Sequence, residues 1–270
     1  MNRQPRLLAI FAHPDDETLL AGPLLAKCAA EGATVRVVCV APGDDERQNR
    51  FLQAIRALGV HEVATLRYSG SPVWPDGPVP QEGAPFITSV PLSHLVGRIQ
   101  GRIEEFRPDV VVTHSQYGDY GHPDHAAVHS ATVAAFDRSF IAGSRLYALA
   151  WPLPLVRVNA KLLRKFGGDT SRTGANGRID LAEAVRTAPC KSAVIDARQY
   201  VSIRRNAARA YSSEIARGPL PLRMLERSPV WGQRLVLGKV ALSRIRPAPG
   251  EFERELFVSL APASDSAPAK

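Results

Sequence analysis

Three segments of this chain, "RLLAIFA" at 6–12, "ATVRVVCVAPG" at 33–43 and "DVVVTH" at 109–114, are short and apolar almost without interruption. A strand with one wet face alternates apolar and polar residues, whereas a strand covered on both faces does not, so these segments predict strands buried in the middle of a layered structure. The stretches between them have helical spacing. "TLLAGPLLAKCAAEG" closes at Gly32 and "DDERQNRFLQAIRALGV" at Gly59, both good helix stops, and "HEVATLRY" then reads as a third strand. Strand, helix, strand, helix, strand predicts a parallel sheet joined by crossovers.

The fold class that follows is α/β, a Rossmann-like three-layer sandwich with a mostly parallel central sheet and its active site at the C-terminal ends of the strands. Residues 69–91 hold so many Pro and Gly that a long loop is expected, of the kind used as a lid or binding loop. "LSHLVGRIQGRIEEFRP" returns to helical spacing. "SQYGDYGHPDHAAVHSATVAAF" reads as a glycine-rich loop running into a helix, "RLYALAW" as a further strand, and 196–216 as containing at least one helix. With 270 residues and 45% hydrophobic content the chain suffices for one α/β domain over 1–270, with a core at 5–150, a more divergent basic portion at 151–260 and a flexible tail at 261–270.

The net charge of +8 is uneven: eleven Lys or Arg fall within 198–246 against Glu214 and Glu226. Such a face can attract nucleic acid, acidic lipid or an anionic small molecule. It lacks the interleaved aromatics of a single-strand binder, so no nucleic-acid partner is expected. The stretch "VWGQRLVLGKVALSRIR" at 230–246 has the composition of a membrane-surface helix, but its two glycines favour packing against the sheet edge. Three widely spaced cysteines without CxxC fit a reducing compartment and small buried apolar roles. With no leader-like opening and no apolar run of membrane length, a cytoplasmic protein is expected.

Chemistry concentrates in two clusters, each just past a predicted strand: "AHPDDE" at 12–17 and "GHPDH" at 121–125. In open parallel sheets, ligands bind outside the strands' carboxyl ends, so clusters distant in sequence become neighbours in space. Pooled, they supply His13, Asp15, Asp16, His122, Asp124 and His125. Imidazole and carboxylate without thiolate suit zinc or a similar divalent ion held by three protein ligands with one position open to water. Either His122 or His125 can be a ligand while the other stands by, and either Asp15 or Asp16 can bind metal while the other takes a proton from water. That is a hydrolase in outline. A helix cap explains one such cluster but not two histidines in a matching place on another strand.

These motifs resemble the LmbE-like, PIG-L superfamily of zinc-dependent N-acetylglucosaminyl deacetylases, which includes mycothiol and bacillithiol pathway enzymes. The resemblance implies His13, Asp16 and His125 as metal ligands, Asp15 as general base, and His122 as acid and oxyanion stabiliser held by Asp124. It implies Zn2+ as cofactor, with Fe2+ the other candidate. Tyr120 matches a tyrosine that assists at the carbonyl, and Arg47 a substrate-binding arginine. The implied substrate is a small N-acetylated amino sugar, an anionic one suiting the arginines, and a homo-oligomer is left open. Three positions depart from the mycothiol-type pattern: Arg50 replaces an acid, Tyr68 stands where those enzymes have Asp, and Tyr211–Glu214 replace His-x-Ser-Gln.

A zinc amidase acting on a thiol conjugate or another N-acyl group is the alternative, motivated by Arg50 and Tyr68. A third reading is a non-catalytic anion or nucleic-acid binder with a vestigial metal site. His114, at the end of "VVVTH", is read as a satisfied buried histidine, and His61, His94 and His129, in surface-like or helical contexts, are assigned nothing.

Overall fold

A computed structural model of the chain describes residues 3–73, 81–150, 153–173 and 177–257. The strands are β1 (Arg6–Phe11), β2 (Thr34–Cys39), β3 (Glu62–Thr65), β4 (Val110–Thr113), β5 (Arg145–Leu149), β6 (Ala193–Asp196) and β7 (Lys239–Arg246). The helices are α1 (Asp16–Leu19), α2 (Gly22–Ala30), α3 (Asp45–Ala57), α4 (Leu92–Phe106), α5 (Gly118–Gly121) and α6 (Pro123–Ser139), then α7 (Leu153–Lys165), α8 (Leu181–Arg186), α9 (Val201–Ala208), α10 (Ser212–Arg217), α11 (Leu220–Arg227) and α12 (Val230–Leu237).

Among the described residues, seven strands form one sheet in the order β3-β2-β1-β4-β5-β7-β6. β1 to β5 are parallel, and β7 runs antiparallel to both β5 and β6. The unbroken apolar runs are explained by the layers. In β1, Leu7, Ala9 and Phe11 enter one core with residues of α2, α3 and α9, while Leu8 and Ile10 enter the opposite core with residues of α4 and α6. Each face of the strand is covered, so neither can be polar.

Because β2 lies on one side of β1 and β4 on the other, the strand order reverses between β1 and β4. The chain leaves both strands toward the same end, opening a crevice there. The acidic turn follows β1 and the second histidine cluster follows β4, so the topology itself brings the two motifs together.

Several local expectations are refined. The helix predicted from Thr18 is two pieces, α1 and α2, because Pro23 lacks the N–H that a helix interior needs and instead sits in the first turn of α2. The region around 196–216 contains α9 and α10 joined through a short 3-10 turn at Arg209–Tyr211. The stretch 230–246 is neither one amphipathic helix nor packed on the sheet edge. It divides at Gly238 into α12 and β7, and β7 is an inner strand between β5 and β6. The expected flexible tail at 261–270 and the centre of the 69–91 loop, residues 74–80, lie outside the described residues.

The basic portion of the chain is fastened to the acidic turn by Arg204. This side chain is fully buried, donates from Nε to the Thr18 carbonyl (3.1 Å) and pairs with Glu226 (2.5 Å). Removing one partner of a buried pair leaves an uncompensated charge, so Arg204→Met should lower unfolding free energy by about 3 kcal/mol. Denaturant unfolding checks this, with Arg204→Met/Glu226→Gln recovering part of the loss.

Candidate metal centre and active site

The turn after β1 is unusual in its backbone. Asp15, the residue before α1, has φ 100°, a region that L-residues rarely adopt. Asp16 is buried and opens α1, where its Oδ2 accepts from the His13 N–H (2.9 Å). Glu17, also buried, accepts from the Asp15 N–H (3.0 Å), the Thr18 hydroxyl (2.6 Å) and the Tyr211 hydroxyl (2.8 Å). Burial pushes Glu17 up to about 7 despite these bonds.

The end of β4 and the turn after it bring three imidazoles, His114, His122 and His125, against these carboxylates and His13. His13 lies 4.8 Å from His122 between ring centroids, His122 stacks on His125 at 4.6 Å, and His125 stacks on His114 at 3.9 Å. Two overlapping groups are close enough to share a metal ion: His13, His122 and His125, and Asp16, His114 and His125.

The hydrogen bonds already made sort these groups. His114 Nε2 accepts from the Ala12 N–H (2.9 Å), which uses the lone pair that a metal would need. Its Nδ1 therefore carries the proton and donates to Asp119 Oδ2 (2.6 Å). His122 Nδ1 accepts from the Asp124 N–H (3.1 Å), so its Nε2 carries the proton. His125 Nδ1 donates to the same Asp119 oxygen (3.0 Å), and His13 Nε2 donates to Asp124 Oδ2 (2.9 Å). The atoms left facing one another are His13 Nδ1, the Asp16 carboxylate and His125 Nε2, which hold the His13 proton among them until an ion displaces it. Their separations are 3.5 Å from His13 Nδ1 to Asp16 Oδ2, 3.3 Å from His125 Nε2 to the other oxygen of Asp16, Oδ1, and 3.3 Å between the two nitrogens. Three donors each about 2.0–2.1 Å from a tetrahedral ion stand about 3.3 Å apart, so the spacing fits.

The electrostatics follow from the same contacts. Burial opposes ionisation of Asp16, but the neighbouring His125 and His114 rings and a hydrogen bond to His13 hold its carboxyl well below the usual carboxylate range. Asp119 is likewise held low against burial by His114 and His125, and Asp124 by His13, then His122 and Ser71. Burial, then the charges of His125 and His13, push His122 well below its ordinary value, leaving a neutral ring. Burial raises Asp15 well above the carboxylate range, with Arg47 opposing and Asp16 and Glu17 adding to the rise.

The other predicted residues are placed as follows. The Asp124 carboxylate engages His13 and Ser71, whose N–H and hydroxyl both donate at 2.6 Å; His122 is reached by the backbone N–H of Asp124, not by its side chain. The cause is position: Asp124 is in the first turn of α6 with its carboxylate turned across the crevice toward the β1 turn. Tyr120 stands edge-on to His122 and His125 (5.9 and 5.2 Å) and packs against a small cluster including Val73 and Leu181. Arg47 donates to the Pro14 carbonyl (3.1 Å) and lies 3.7 Å from Asp15, so it braces the acidic turn.

His114 is the satisfied buried histidine that the sequence predicts, and it also shares Asp119 with His125. Only its place at the end of a buried strand beside the switch point signals this. Asp119, Ser71 and the Tyr211–Glu17 contact were missed; Asp119 sits inside the quoted motif, whereas nothing local marks the others. His129 is in a helical context, on α6, where it is buried and donates from Nδ1 to the His114 carbonyl (2.8 Å). Tyr68 is a core residue whose hydroxyl meets His94 Nδ1 (3.1 Å). Two departures from the mycothiol-type pattern are one change in space: Arg50 pairs with Glu214 at 3.1 Å.

Gly70 lies close enough that an added Cβ would stand 3.0 Å from the His13 ring, so Gly70→Ala should shift that imidazole. Burial alone would keep His13 neutral, but hydrogen bonds to Asp124 and Asp16, and their charges, raise it to about 9. Without an ion the ring is thus protonated through pH 7, and an entering cation has to displace that proton. We expect binding of zinc to the stripped protein to release about one proton at neutral pH, and affinity to rise about tenfold per pH unit toward 9 and then level off. Titration calorimetry in buffers of different ionisation enthalpy measures this; Asp119→Ala should weaken zinc binding by about 10–100-fold.

Comparisons with known proteins agree with this geometry. Residues 8–136 match the family described as PIG-L, GlcNAc-PI de-N-acetylase. A 1D-myo-inositol 2-acetamido-2-deoxy-alpha-D-glucopyranoside deacetylase of Acidothermus cellulolyticus is 31% identical over 237 residues, 78% of this chain and 80% of that protein. Among solved structures, the zinc-inhibited form of a teicoplanin deacetylase superposes with a TM-score of 0.55 at 21% identity, covering 90% of this chain and 100% of that one. The 4-carboxy-2-hydroxymuconate hydratase of Pseudomonas putida KT2440 shares the fold at a TM-score of 0.54 and 14% identity, covering 92% and 99%. Fold alone therefore does not select the reaction, but identity across most of a deacetylase's length, with both histidine and carboxylate motifs in place, does: the chain belongs to the PIG-L family and is a hydrolytic N-deacetylase.

Proposed function

We propose that this protein hydrolyses the N-acetyl amide of a GlcNAc-containing small molecule, releasing acetate and the free amine, with His13, Asp16 and His125 holding a divalent ion, zinc before iron. The observation that carries this is the convergence of His13 Nδ1, the Asp16 carboxylate and His125 Nε2 at 3.3–3.5 Å from one another, with a raised carboxyl, Asp15, and a neutral imidazole, His122, in the same cluster. The donor set, two imidazoles and a carboxylate without thiolate, is that of a catalytic zinc site with an open position. Such an ion, when bound, supplies Lewis-acid polarisation of the amide carbonyl and acidifies a water.

The chain's own residues do the rest. Asp15 accepts the proton of the attacking water, and the burial that raises its carboxyl makes it a stronger base than an exposed carboxylate. The proton then passes to the leaving nitrogen as the C–N bond breaks. His122 is neutral with Nε2 protonated, so it can donate to the carbonyl oxygen as negative charge builds there. Asp119 fixes the tautomer of His125, and Asp124 that of His13, so both rings present the correct nitrogen. Tyr120, whose hydroxyl is kept protonated chiefly by burial, is a second donor at the rim. Arg47 holds the Pro14 carbonyl through Nη2 and would meet a substrate through its remaining N–H groups. The sugar of the Acidothermus relative, a GlcNAc linked to inositol, is the natural first candidate; Tyr68, engaged with His94 in the core, offers no polar contact to such a sugar.

The test is acetate release from a panel of N-acetylglucosaminides, comparing chelator-stripped protein with the same sample reloaded with zinc. We expect release only after reloading, a fall of about 10²–10⁴ in kcat for Asp15→Asn with zinc content retained, and about 10²–10³ for His122→Ala with KM little changed. Zinc-loaded, folded protein that releases acetate from no panel member would overturn the reading.

A further inference from the structure

The basic surface that the reaction does not use is organised by α11 and α12. From α11, Leu220 and Met224 are 50% and 63% exposed; from α12, Trp231 and Leu235 are 67% and 77% exposed, with Val236 beside them. Leu220 and Met224 on α11, and Trp231 and Leu235 on α12, are each four apart and so share a face of their helix, and the two helices are in contact and joined by the short Ser228-Pro229 link. An apolar display of this kind on an otherwise solvated protein marks an interaction surface.

Its charge says what kind. Between 215 and 239 the basic residues are Arg217, Arg223, Arg227, Arg234 and Lys239, and the sole acid is Glu226. Glu226 is turned inward onto buried Arg204 and neutralises nothing outside. Arg217, Arg227 and Arg234 are exposed and have no carboxylate partner among the described residues. The face is therefore apolar side chains set among cations only. A second copy of the chain would bring like charges together on such a face, and a nucleic acid would leave Leu220, Met224, Leu235 and Val236 without a favourable contact. A bilayer of anionic lipid satisfies both features, since acyl chains take the apolar tips, headgroups meet the guanidinium groups, and a Trp suits the boundary between them.

We propose that the α11–α12 face docks the protein on anionic membrane surfaces. The docking would also orient the active site. β7 begins where β5 ends, with Leu242 paired to Leu149, so α12 lies at the end of the sheet where β1 and β4 deliver their histidines and carboxylates. The inference concerns this face alone and stands or falls separately from the deacetylase reaction.

The test is co-sedimentation of the full chain with vesicles of phosphatidylcholine alone and of phosphatidylcholine mixed with phosphatidylglycerol, at low and high salt. Expected is retention on the phosphatidylglycerol vesicles that falls with salt, and a loss of about tenfold or more in each of two variants: Trp231→Ser/Leu235→Ser, which removes the apolar tips, and Arg227→Glu/Arg234→Glu, which reverses the charge. Circular dichroism confirms that each variant is folded, and activity on a soluble substrate should be unchanged, since neither touches the catalytic residues. Failure to bind phosphatidylglycerol vesicles, or equal binding by both folded variants, overturns the proposal. A dimer in sedimentation equilibrium that Trp231→Ser/Leu235→Ser abolishes, without vesicle binding, assigns the face to a second copy instead; retention on DNA without vesicle binding assigns it to nucleic acid.

Discussion

Burying four imidazoles and several carboxylates at one sheet end is tolerable only if nearly every polar atom there has a defined partner, and the rest of this structure is arranged to meet that demand. A carboxylate taken out of water without compensation titrates rather than staying charged. Asp119 accepts from His114 and His125, Asp124 from His13 and Ser71, and Asp16 from the His13 N–H, so three anions are held by donors supplied from β1, β4, α6 and the 69–91 loop. Because most of these donors are histidines in fixed places, the same contacts that stabilise the anions also set the tautomers. Charge compensation and ligand orientation are thus one network.

The strand order explains why such a network can exist. Only at the reversal between β1 and β4 do two adjacent parallel strands send their following loops apart, leaving room for side chains from both. The backbone contributes as well. Gly121, with φ 96°, passes so near Asp180 that an added Cβ would stand 2.7 Å from its carbonyl oxygen, which ties the second motif to the segment opening α8. The motif after β4 is therefore clamped between the site and the basic portion of the chain.

Much of this was legible in the sequence, for physical reasons. Strands β1, β2 and β4 announce themselves because burial on both faces leaves no choice but apolar residues, and the His-Pro-Asp motifs stand out because like charges in succession demand an explanation. β7 was not legible. "KVALSRIR" carries three charges and follows a glycine in a stretch with a helix-like apolar pattern, and its partner β6 is short. Antiparallel strands near a sheet edge tolerate polar residues, so the contrast that exposes β1 is missing. His114 and Ser71 were hidden for another reason: their roles depend on partners 5 and 53 residues away that no local pattern encodes. The Arg50–Glu214 pair shows the same limit, since two departures read as separate losses are a matched exchange once the chain is folded.

The contacts of Thr18 and Glu17 with Arg204 and Tyr211 carry a consequence for how this chain can be recombined. The acidic turn is written in the first twenty residues, yet its carbonyl and its buried carboxylate are each closed by a side chain nearly two hundred positions later. A chimera that joined the first 150 residues to the C-terminal portion of a relative with His in place of Tyr211 would carry both motifs intact. It would still present Glu17 with a different donor and release Arg50 from its counter-charge. Such recombinants would inherit the reaction's residues without the frame that holds them, which makes the two portions of the chain a single inheritable unit.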